Sequence, residues 1–389
     1  MTESSRPCPP DWEIFCQVVD NFGDIGVCWR LARSLVTDHG LSVRLWVDDW
    51  HAFARLCPAL TGHAGRVIVD GVELCPWHEP FPAVEPASVV IEAFGCALPA
   101  LHLEAMANRP VVPVWINLEY LSAESWVTGC HGLASPHPQL PLVRHFFFPG
   151  FEAKTGGLLR EAGLLAERDR FCRRGGRETW LGEHGFDALA ADTLIVSMFA
   201  YEQPALADLI SAWAGGEHPV LLLVPEGRVL ADVARAFACP VLEAGSRLRM
   251  GKVELAVLSF TDQASYDRLL WSCDLNFVRG EDSFVRAQWA ARPFVWHIYP
   301  QQDHAHFDKL EAFLARYCSG LDAAAASAVA GFWRAWNGRG GLAPAWSALR
   351  AVLPAIDAHA GVWCSGLSAQ TDLASNLRQF CNHILDPRE

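Results

Sequence analysis

The sequence predicts an α/β protein made of two doubly wound domains in series. Its 389 residues are too many for one ordinary core and suit about two domains. In each half, continuous apolar runs of strand length alternate with stretches of helical spacing, a pattern typical of parallel sheets covered on both faces. A polar, glycine- and charge-rich region at 149–192 interrupts the alternation. Such domains bind ligands at the carboxyl ends of their strands, so we expect a ligand in the cleft between them.

The first half predicts a Rossmann-like domain that we assign to residues 1–185. Its predicted strands are 14–19, 42–47, 66–69, 88–92 and 111–117, and its predicted helices are 25–36 and 98–107. The second half repeats the pattern, and we assign residues 186–364 to it. Its predicted strands are 193–199, 220–224, 253–259, 275–278 and 294–299, with helices at 205–213 and from Glu281 onward. We expect one or two helices at 367–385, and the C-terminal segment 365–389 to join the first domain.

Composition excludes several classes of function. The net charge of −13 argues against nucleic acid and against an anionic membrane surface as partners. Apolar runs stay shorter than the ~20 residues of a membrane span, and the N-terminus lacks the organisation of a secretory signal. The 13 cysteines are scattered without a CxxC pair, which indicates free thiols and a cytoplasmic protein. No zinc-protease, Walker A or serine-hydrolase motif is present, so we expect no metal and no cofactor.

The segment Asp20–Gly26 (DNFGDIG) joins the first predicted strand to the first helix. Gly23 lets the backbone approach a ligand, although the spacing is not that of a dinucleotide fingerprint. Asp24 could be a helix N-cap and Asp20 a turn-stabilising residue. Alternatively, both carboxylates face the cleft as a general base or as acceptor-orienting groups.

A strand–turn–helix unit at 279–290 (RGEDSFVRAQWA) predicts a diphosphate site. Gly280 forms the turn, and the helix start offers unpaired N–H groups and a positive dipole end. Arg279 could pair with a phosphate or with a surface carboxylate, and Ser283 could add hydrogen bonds. Glu281 and Asp282 are either reserved for chemistry and hydroxyl groups or are first-turn acidic residues favoured by the dipole.

Two further strand ends carry aromatic side chains that could contact a nucleotide. Phe199 and Tyr201 follow one strand, and Phe199 could equally fill the core. Phe260 and Tyr266 could stack on a base while Gln263 reads its edge, although the segment could also be a capped helix start with Asp262 as the cap. Asp267 is a weaker candidate for this site.

These strings, in this order and over essentially the whole chain, resemble the bacterial protein-arginine rhamnosyltransferases. The resemblance rests on 20–26 (DNFGDIG), 197–202 (SMFAYE), 279–283 (RGEDS) and 300–302 (PQQ). It implies a GT-B fold of two Rossmann-like domains facing a central cleft. It also implies inverting transfer of L-rhamnose from dTDP-β-L-rhamnose to an arginine of translation elongation factor P, which then rescues ribosomes stalled at polyproline.

The resemblance also assigns residues. The two loop aspartates of the family match Asp20 and Asp24, and its catalytic-site glutamate matches Glu281. Its nucleotide contacts match Phe199, Tyr201, Phe260, Gln263, Asp282 and Ser283. We expect Asp20 to accept the proton, and Asp24 and Glu281 to orient the acceptor or the sugar. The N–H groups of 281–283 and Arg279 would compensate the leaving diphosphate without a metal.

Other functions fit the same fold. A GT-B glycosyltransferase or nucleotide-sugar epimerase with another acceptor would have the same composition. A non-catalytic protein that binds a translation factor would lose nothing when Asp20 is replaced. A dehydrogenase is disfavoured by the missing glycine fingerprint.

Overall fold

The computed structural model describes residues 9–20, 22–301 and 303–386, and it divides into two compact units. The first contains the described residues up to Ala162 together with those from Gln370 onward, and the second is Gly163–Ala369. None of the helices in these described ranges is both long enough and apolar enough to cross a membrane.

The first unit is built around one sheet of eight strands. The strands are β1 (Trp12–Cys16), β2 (Val43–Val47), β3 (Val67–Val69), β4 (Val72–Pro76), β5 (Val89–Ala93), β6 (Val114–Leu118), β7 (Ala134–Pro136) and β8 (Val143–Phe147). The helices are α1 (Gly23–Thr37), α2 (Trp50–Leu56), α3 (Ala100–Ala107) and α4 (Val127–Cys130), with a 3-10 turn at Pro58–Leu60. Of the five central strands, β1, β2, β5 and β6 are buried along their whole length and β4 is buried at three of its five positions. Most of their residues are apolar, as expected for a sheet covered on both faces.

The order of the strands is β3-β4-β2-β1-β5-β6-β8-β7. All neighbours are parallel except the two edge pairs, β3 with β4 and β7 with β8. Strands β1 to β4 form one half of the sheet, with β1 at the centre of the sheet, and β5 to β8 form the other half, with β5 next to β1. The carboxyl ends of β1 and β5 therefore flank a topological switch point, where doubly wound folds bind ligands.

The C-terminal helix (Leu373–Leu385) belongs to the first unit. Phe380 packs its ring against those of His145 and Phe147. The side-chain amide of Asn376 donates to the carbonyl of Gly156 at 3.0 Å, and the backbone N–H of Leu373 donates to the carbonyl of Leu158. These contacts fix the helix to β8 and to the segment that follows it.

The second unit holds a six-stranded sheet. Its strands are β9 (Leu194–Met198), β10 (Val220–Pro225), β11 (Arg247–Met250), β12 (Val253–Leu258), β13 (Leu275–Arg279) and β14 (Phe294–His297). Its helices are α5 (Leu164–Arg173), α6 (Gly176–Glu183), α7 (Leu206–Ala214), α8 (Leu230–Ala236), α9 (Gln263–Ser272), α10 (Asp282–Ala290), α11 (His306–Tyr317), α12 (Ala323–Trp336) and α13 (Leu342–Ser368), with a 3-10 turn at Cys318–Gly320.

The strand order is β11-β12-β10-β9-β13-β14, with only the β11–β12 pair antiparallel among the described pairings. The switch point here lies between β9 and β13. Phe199 follows the first of these strands, and Arg279 ends the second. The predicted nucleotide and diphosphate residues thus share one edge of one sheet.

The predicted domain boundary at residue 185 differs from the structural division at 162. Helices α5 and α6 lie inside the polar region that we interpreted as a break. Trp180 and Leu181 of α6 are buried in the same core cluster as Ile195, Leu221 and Leu269. The few apolar residues of this segment therefore pack on the second sheet, which the local composition did not indicate.

Candidate active site

In the first unit, the loop after β1 is held by carboxylates. The backbone N–H of Val18 donates to Asp48 Oδ1 at 2.8 Å. The N–H groups of Val19 and Asp20 donate to Asp24 Oδ2 at 2.8 and 2.9 Å. We predicted that the first strand continues to residue 19, and this is wrong: β1 ends at Cys16, because the following N–H groups bond to side chains rather than to a neighbouring strand.

Asp24 is a buried organiser of this loop. Phe22 occupies the N-cap position of α1, so Asp24 lies inside the first turn and is not the cap. Asp24 is 2% exposed, and its carboxylate also accepts a hydrogen bond from the hydroxyl of Tyr120 at 3.1 Å. Burial raises the pKa of Asp24 above its usual value, while these hydrogen bonds oppose the shift.

Asp20 lies at the turn into α1 and is half-buried. Its carbonyl accepts the N–H of Gly23 at 2.7 Å. A Cβ atom at Gly23 would lie 3.2 Å from Asp20 Oδ2, which is tighter than ordinary contact. Gly23 thus allows the Asp20 carboxylate to rest against the helix start. The predicted approach of the backbone at Gly23 to a ligand stays a prediction.

Two stacked aromatic residues, Phe94 and Tyr120, lie next to Asp24. Phe94 follows β5 and stacks on Tyr120, with ring centroids 4.5 Å apart and an interplanar angle of 17°. Phe94 has φ +59°, a left-handed conformation that is rare for a bulky residue. Sequence reasoning missed both residues. The rule that carboxyl ends of parallel strands converge would have found them, because they follow β5 and β6 directly.

The chemistry of this edge favours a cation. In dinucleotide-binding folds the N–H groups after the first strand receive a phosphate. Here the N–H groups of Val18, Val19 and Asp20 bond to Asp48 and Asp24, which also bring negative charge. A protonated guanidinium meets complementary charge at such an edge, whereas an anion would be repelled.

In the second unit, the turn after β13 is held by its own residues. Gly280 has φ +59°, which confirms that the turn needs a glycine, and its carbonyl accepts the indole N–H of Trp296 at 2.8 Å. The hydroxyl of Ser283 accepts the N–H of Arg279 at 3.0 Å and donates to the Arg279 carbonyl. Glu281 occupies the N-cap position of α10. The Ser283 hydroxyl therefore shapes the turn, and its predicted ligand contact is left to its backbone N–H.

Arg279 is the cation of this turn and is not a surface residue, since it is only 5% exposed. Its guanidinium carbon lies 4.5 Å from the ring centroid of Phe199 and 4.8 Å from that of Tyr201. These are cation–π distances, so the two rings fix the position of the charge. Phe199 is half-buried and meets Tyr266 edge to face, which gives it both a packing role and an accessible face.

His297 lies opposite Arg279 in the pairing of β13 with β14 and was not predicted from the sequence. Burial, reinforced by the charge of Arg279, lowers the pKa of His297 to about 3. The imidazole is thus neutral at physiological pH, and Arg279 keeps its charge without a second cation beside it.

The remaining predicted residues lie around α9 and α10. Asp262 is the N-cap of α9, as expected if this segment is a capped helix start. The side-chain amide of Gln263 donates to Asp282 Oδ2 at 3.5 Å, which connects the starts of the two helices. The backbone N–H of Phe260 donates to Glu226 Oε2, and its ring is half-buried. Asp267 instead forms a buried bidentate ion pair with Arg286, at 2.9 and 2.6 Å, and so has a structural role.

Two residues of the motifs, Asn21 and Gln302, lie outside the described residues. Within the described ranges, no group of three or more His, Cys, Asp and Glu side chains is arranged to hold a metal ion. The cysteines of those ranges are all free thiols.

Two Rossmann-like units, each with its candidate residues at the switch point of a largely parallel sheet, place the chain in the GT-B fold class. Comparison with known proteins agrees. A solved structure that presents the structural basis for EarP-mediated arginine glycosylation of translation elongation factor EF-P is 38% identical, with a TM-score of 0.69 over 96% of this chain and 99% of that one.

The particular family is also clear. The model of the elongation factor P (EF-P) rhamnosyltransferase EarP family matches residues 12–382. The protein-arginine rhamnosyltransferase of Pseudomonas putida is 51% identical over 96% of this chain and 99% of its own length. That of Pseudomonas aeruginosa is 50% identical over 95% and 98%. The chain belongs to the EarP family and is an enzyme, a protein-arginine rhamnosyltransferase.

Proposed function

We propose that this enzyme transfers L-rhamnose from dTDP-β-L-rhamnose to an arginine side chain of translation elongation factor P, with inversion at the anomeric carbon. The modified factor then rescues ribosomes stalled at polyproline, and the reaction takes place in the cytoplasm. The observation that carries this proposal is the contrast between the charged groups at the two switch points. Carboxylates line the edge near Asp20, and Arg279 lies on aromatic rings in the second unit.

We assign the acceptor to the first unit. An arginine guanidinium is protonated at neutral pH, with a pKa above ~12, and is a poor nucleophile. Asp20 orients it and accepts its proton as one nitrogen attacks the anomeric carbon. The bond from that carbon to the diphosphate breaks in the same step, and the electron pair leaves with dTDP. Asp24 holds the backbone that carries Asp20, since its own carboxylate is buried and accepts hydrogen bonds from the loop backbone.

We assign the donor to the second unit. Arg279 and the N–H groups at the start of α10 offset the growing charge of the diphosphate, so no metal ion is required. Phe260 stacks on the thymine base, and Phe199, Tyr201, Gln263 and Asp282 complete the nucleotide site. Glu281 orients the sugar or the acceptor and favours positive charge at the anomeric carbon.

The decisive experiment is the intact mass of purified elongation factor P after incubation with this enzyme and dTDP-β-L-rhamnose in excess chelator. We expect a gain of one deoxyhexose, and no gain when the acceptor arginine is replaced by lysine. Loss of transfer only when chelator is present would refute metal independence. Donor binding without transfer would indicate a different acceptor, and neither binding nor transfer would indicate a non-catalytic protein.

A further inference from the structure

A short chain of contacts connects Tyr120 to Asp20. The Tyr120 hydroxyl donates to Asp24 Oδ1 at 3.1 Å. The other oxygen of that carboxylate accepts the N–H groups of Val19 and Asp20 at 2.8 and 2.9 Å. One buried carboxylate thus joins the end of β6 to the backbone that carries Asp20. If Asp24 rotates about its side-chain bonds, both backbone contacts are lost together.

The ring of Tyr120 is itself held in place. Phe94 stacks on it at 4.5 Å, and the N–H of Phe94 donates to the carbonyl of Leu118 at 2.6 Å. Phe94 has φ +59° and Gly95 has φ +69°, so two successive left-handed residues bring the Phe94 ring over Tyr120. Strained backbone of this kind persists where the surrounding structure holds it, and it clusters at functional sites.

We propose that Tyr120 is a positioning residue for rhamnosyl transfer, which fixes Asp24 and, through it, the loop backbone that presents the carboxylate of Asp20. This inference rests on the proposed function, because it gives Tyr120 the task of holding the proposed base. It assigns no contact with the donor to Tyr120. Removing the hydroxyl alone therefore affects the chemical step and leaves donor binding unchanged.

The first test does not depend on activity. Residue-resolved hydrogen exchange is measured on the whole protein with Tyr120→Phe, which keeps the ring and its stack on Phe94. We expect the amides of Val19 and Asp20 to exchange roughly ten-fold faster, in line with the loss of one hydrogen bond to a charged group. The amide of Val18 stays unchanged, because its acceptor is Asp48. Asp48→Ala is the matched control and should accelerate Val18 instead. Unchanged exchange at Val19 and Asp20 in Tyr120→Phe would overturn the inference.

The second test is kinetic. Tyr120→Phe should lower kcat by about ten- to a hundred-fold while KM for dTDP-β-L-rhamnose is unchanged. If Tyr120→Phe retains full kcat and Tyr120→Leu raises KM for the acceptor, then the ring contacts the acceptor and the positioning role is wrong. Absence of transfer by the unmodified enzyme would refute the proposed function. Normal transfer with normal exchange in Tyr120→Phe would refute this inference alone.

Discussion

The two units share the topology of six strands, to which the first unit adds β8 and β7, and they carry different charged groups at the same topological position. Both sheets build outward from a central strand, and both place their candidate residues at the resulting switch point. In the first unit, side-chain carboxylates satisfy the loop N–H groups after β1. In the second, a buried arginine lies on two aromatic rings beside a helix start. The shared fold therefore fixes the position of the binding site, and a few side chains determine the charge of the ligand group that it attracts.

The largest effect is expected when the acidic site of the first unit is disrupted. Asp20→Asn removes the proton acceptor, and we expect a decrease in kcat of about 10³-fold. Calorimetry should show nearly unchanged affinity for dTDP-β-L-rhamnose. Glu104→Gln, on the exposed side of α3, is the matched control and should retain activity. Loss of donor binding in Asp20→Asn would contradict the assignment of Asp20 to the acceptor.

Arg279→Gln removes the positive charge that we assign to the donor site of the second unit. Loss of a charge-assisted contact with the diphosphate should weaken dTDP binding by about a hundred-fold, or ~3 kcal/mol. Calorimetry with dTDP measures this directly. Arg292→Gln serves as a control, since Arg292 pairs with Asp357 on the surface. If Arg279→Gln and the unmodified enzyme bind dTDP with equal affinity, the assignment of Arg279 to the donor site is wrong.

The neutral state of His297 sharpens the comparison, because it leaves Arg279 without a charged imidazole beside it. The pKa of His297 is lowered to about 3 by burial and by Arg279. The unfolded chain binds a proton below about pH 6.5, whereas the folded protein does not, so stability falls as pH decreases through this range. From pH 7 to 5 this residue should contribute a loss of about 2 kcal/mol in the free energy of unfolding.

The measurement is urea denaturation of the unmodified protein and of His297→Gln at both pH values. Burial also lowers the pKa values of His131, His145, His306 and His359, so both proteins lose stability on acidification. The variant should lose less, by about the amount stated. Parallel pH profiles for the two proteins would show that His297 is protonated normally in the fold.

The smallest effect tests the nucleotide end of the donor site. Phe260→Ala should weaken dTDP binding roughly ten-fold, because stacking on a base contributes about 1–3 kcal/mol. Phe237→Ala removes a half-buried ring at the end of α8 and provides the control. Affinity that is unchanged in Phe260→Ala and reduced in Phe237→Ala would move the base to another part of the second unit.

Local patterns predicted much of this architecture. Apolar runs located β1, β2, β5 and β6 of the first sheet and β9, β10, β12, β13 and β14 of the second within a few residues, but they missed β4. Gly280 was predicted at a turn that has a positive φ. The contact of Asp24 with Tyr120 was missed, because Tyr120 is distant in sequence and is brought near by strand order. The membership of α6 in the second unit depends on two residues, Trp180 and Leu181, within a polar segment. The approximate positions of strands can be predicted from apolar runs, whereas the contacts at their ends depend on which strands become neighbours.

The return of the C-terminal helix to the first unit has a consequence for synthesis. Gly163–Ala369 is topologically an insertion between two parts of the first unit. The second unit is therefore complete on the ribosome before the first, which still lacks the contacts of Asn376 and Phe380. A chain released early, after residue 369, retains every residue of the nucleotide-binding unit but leaves the acceptor unit unfinished.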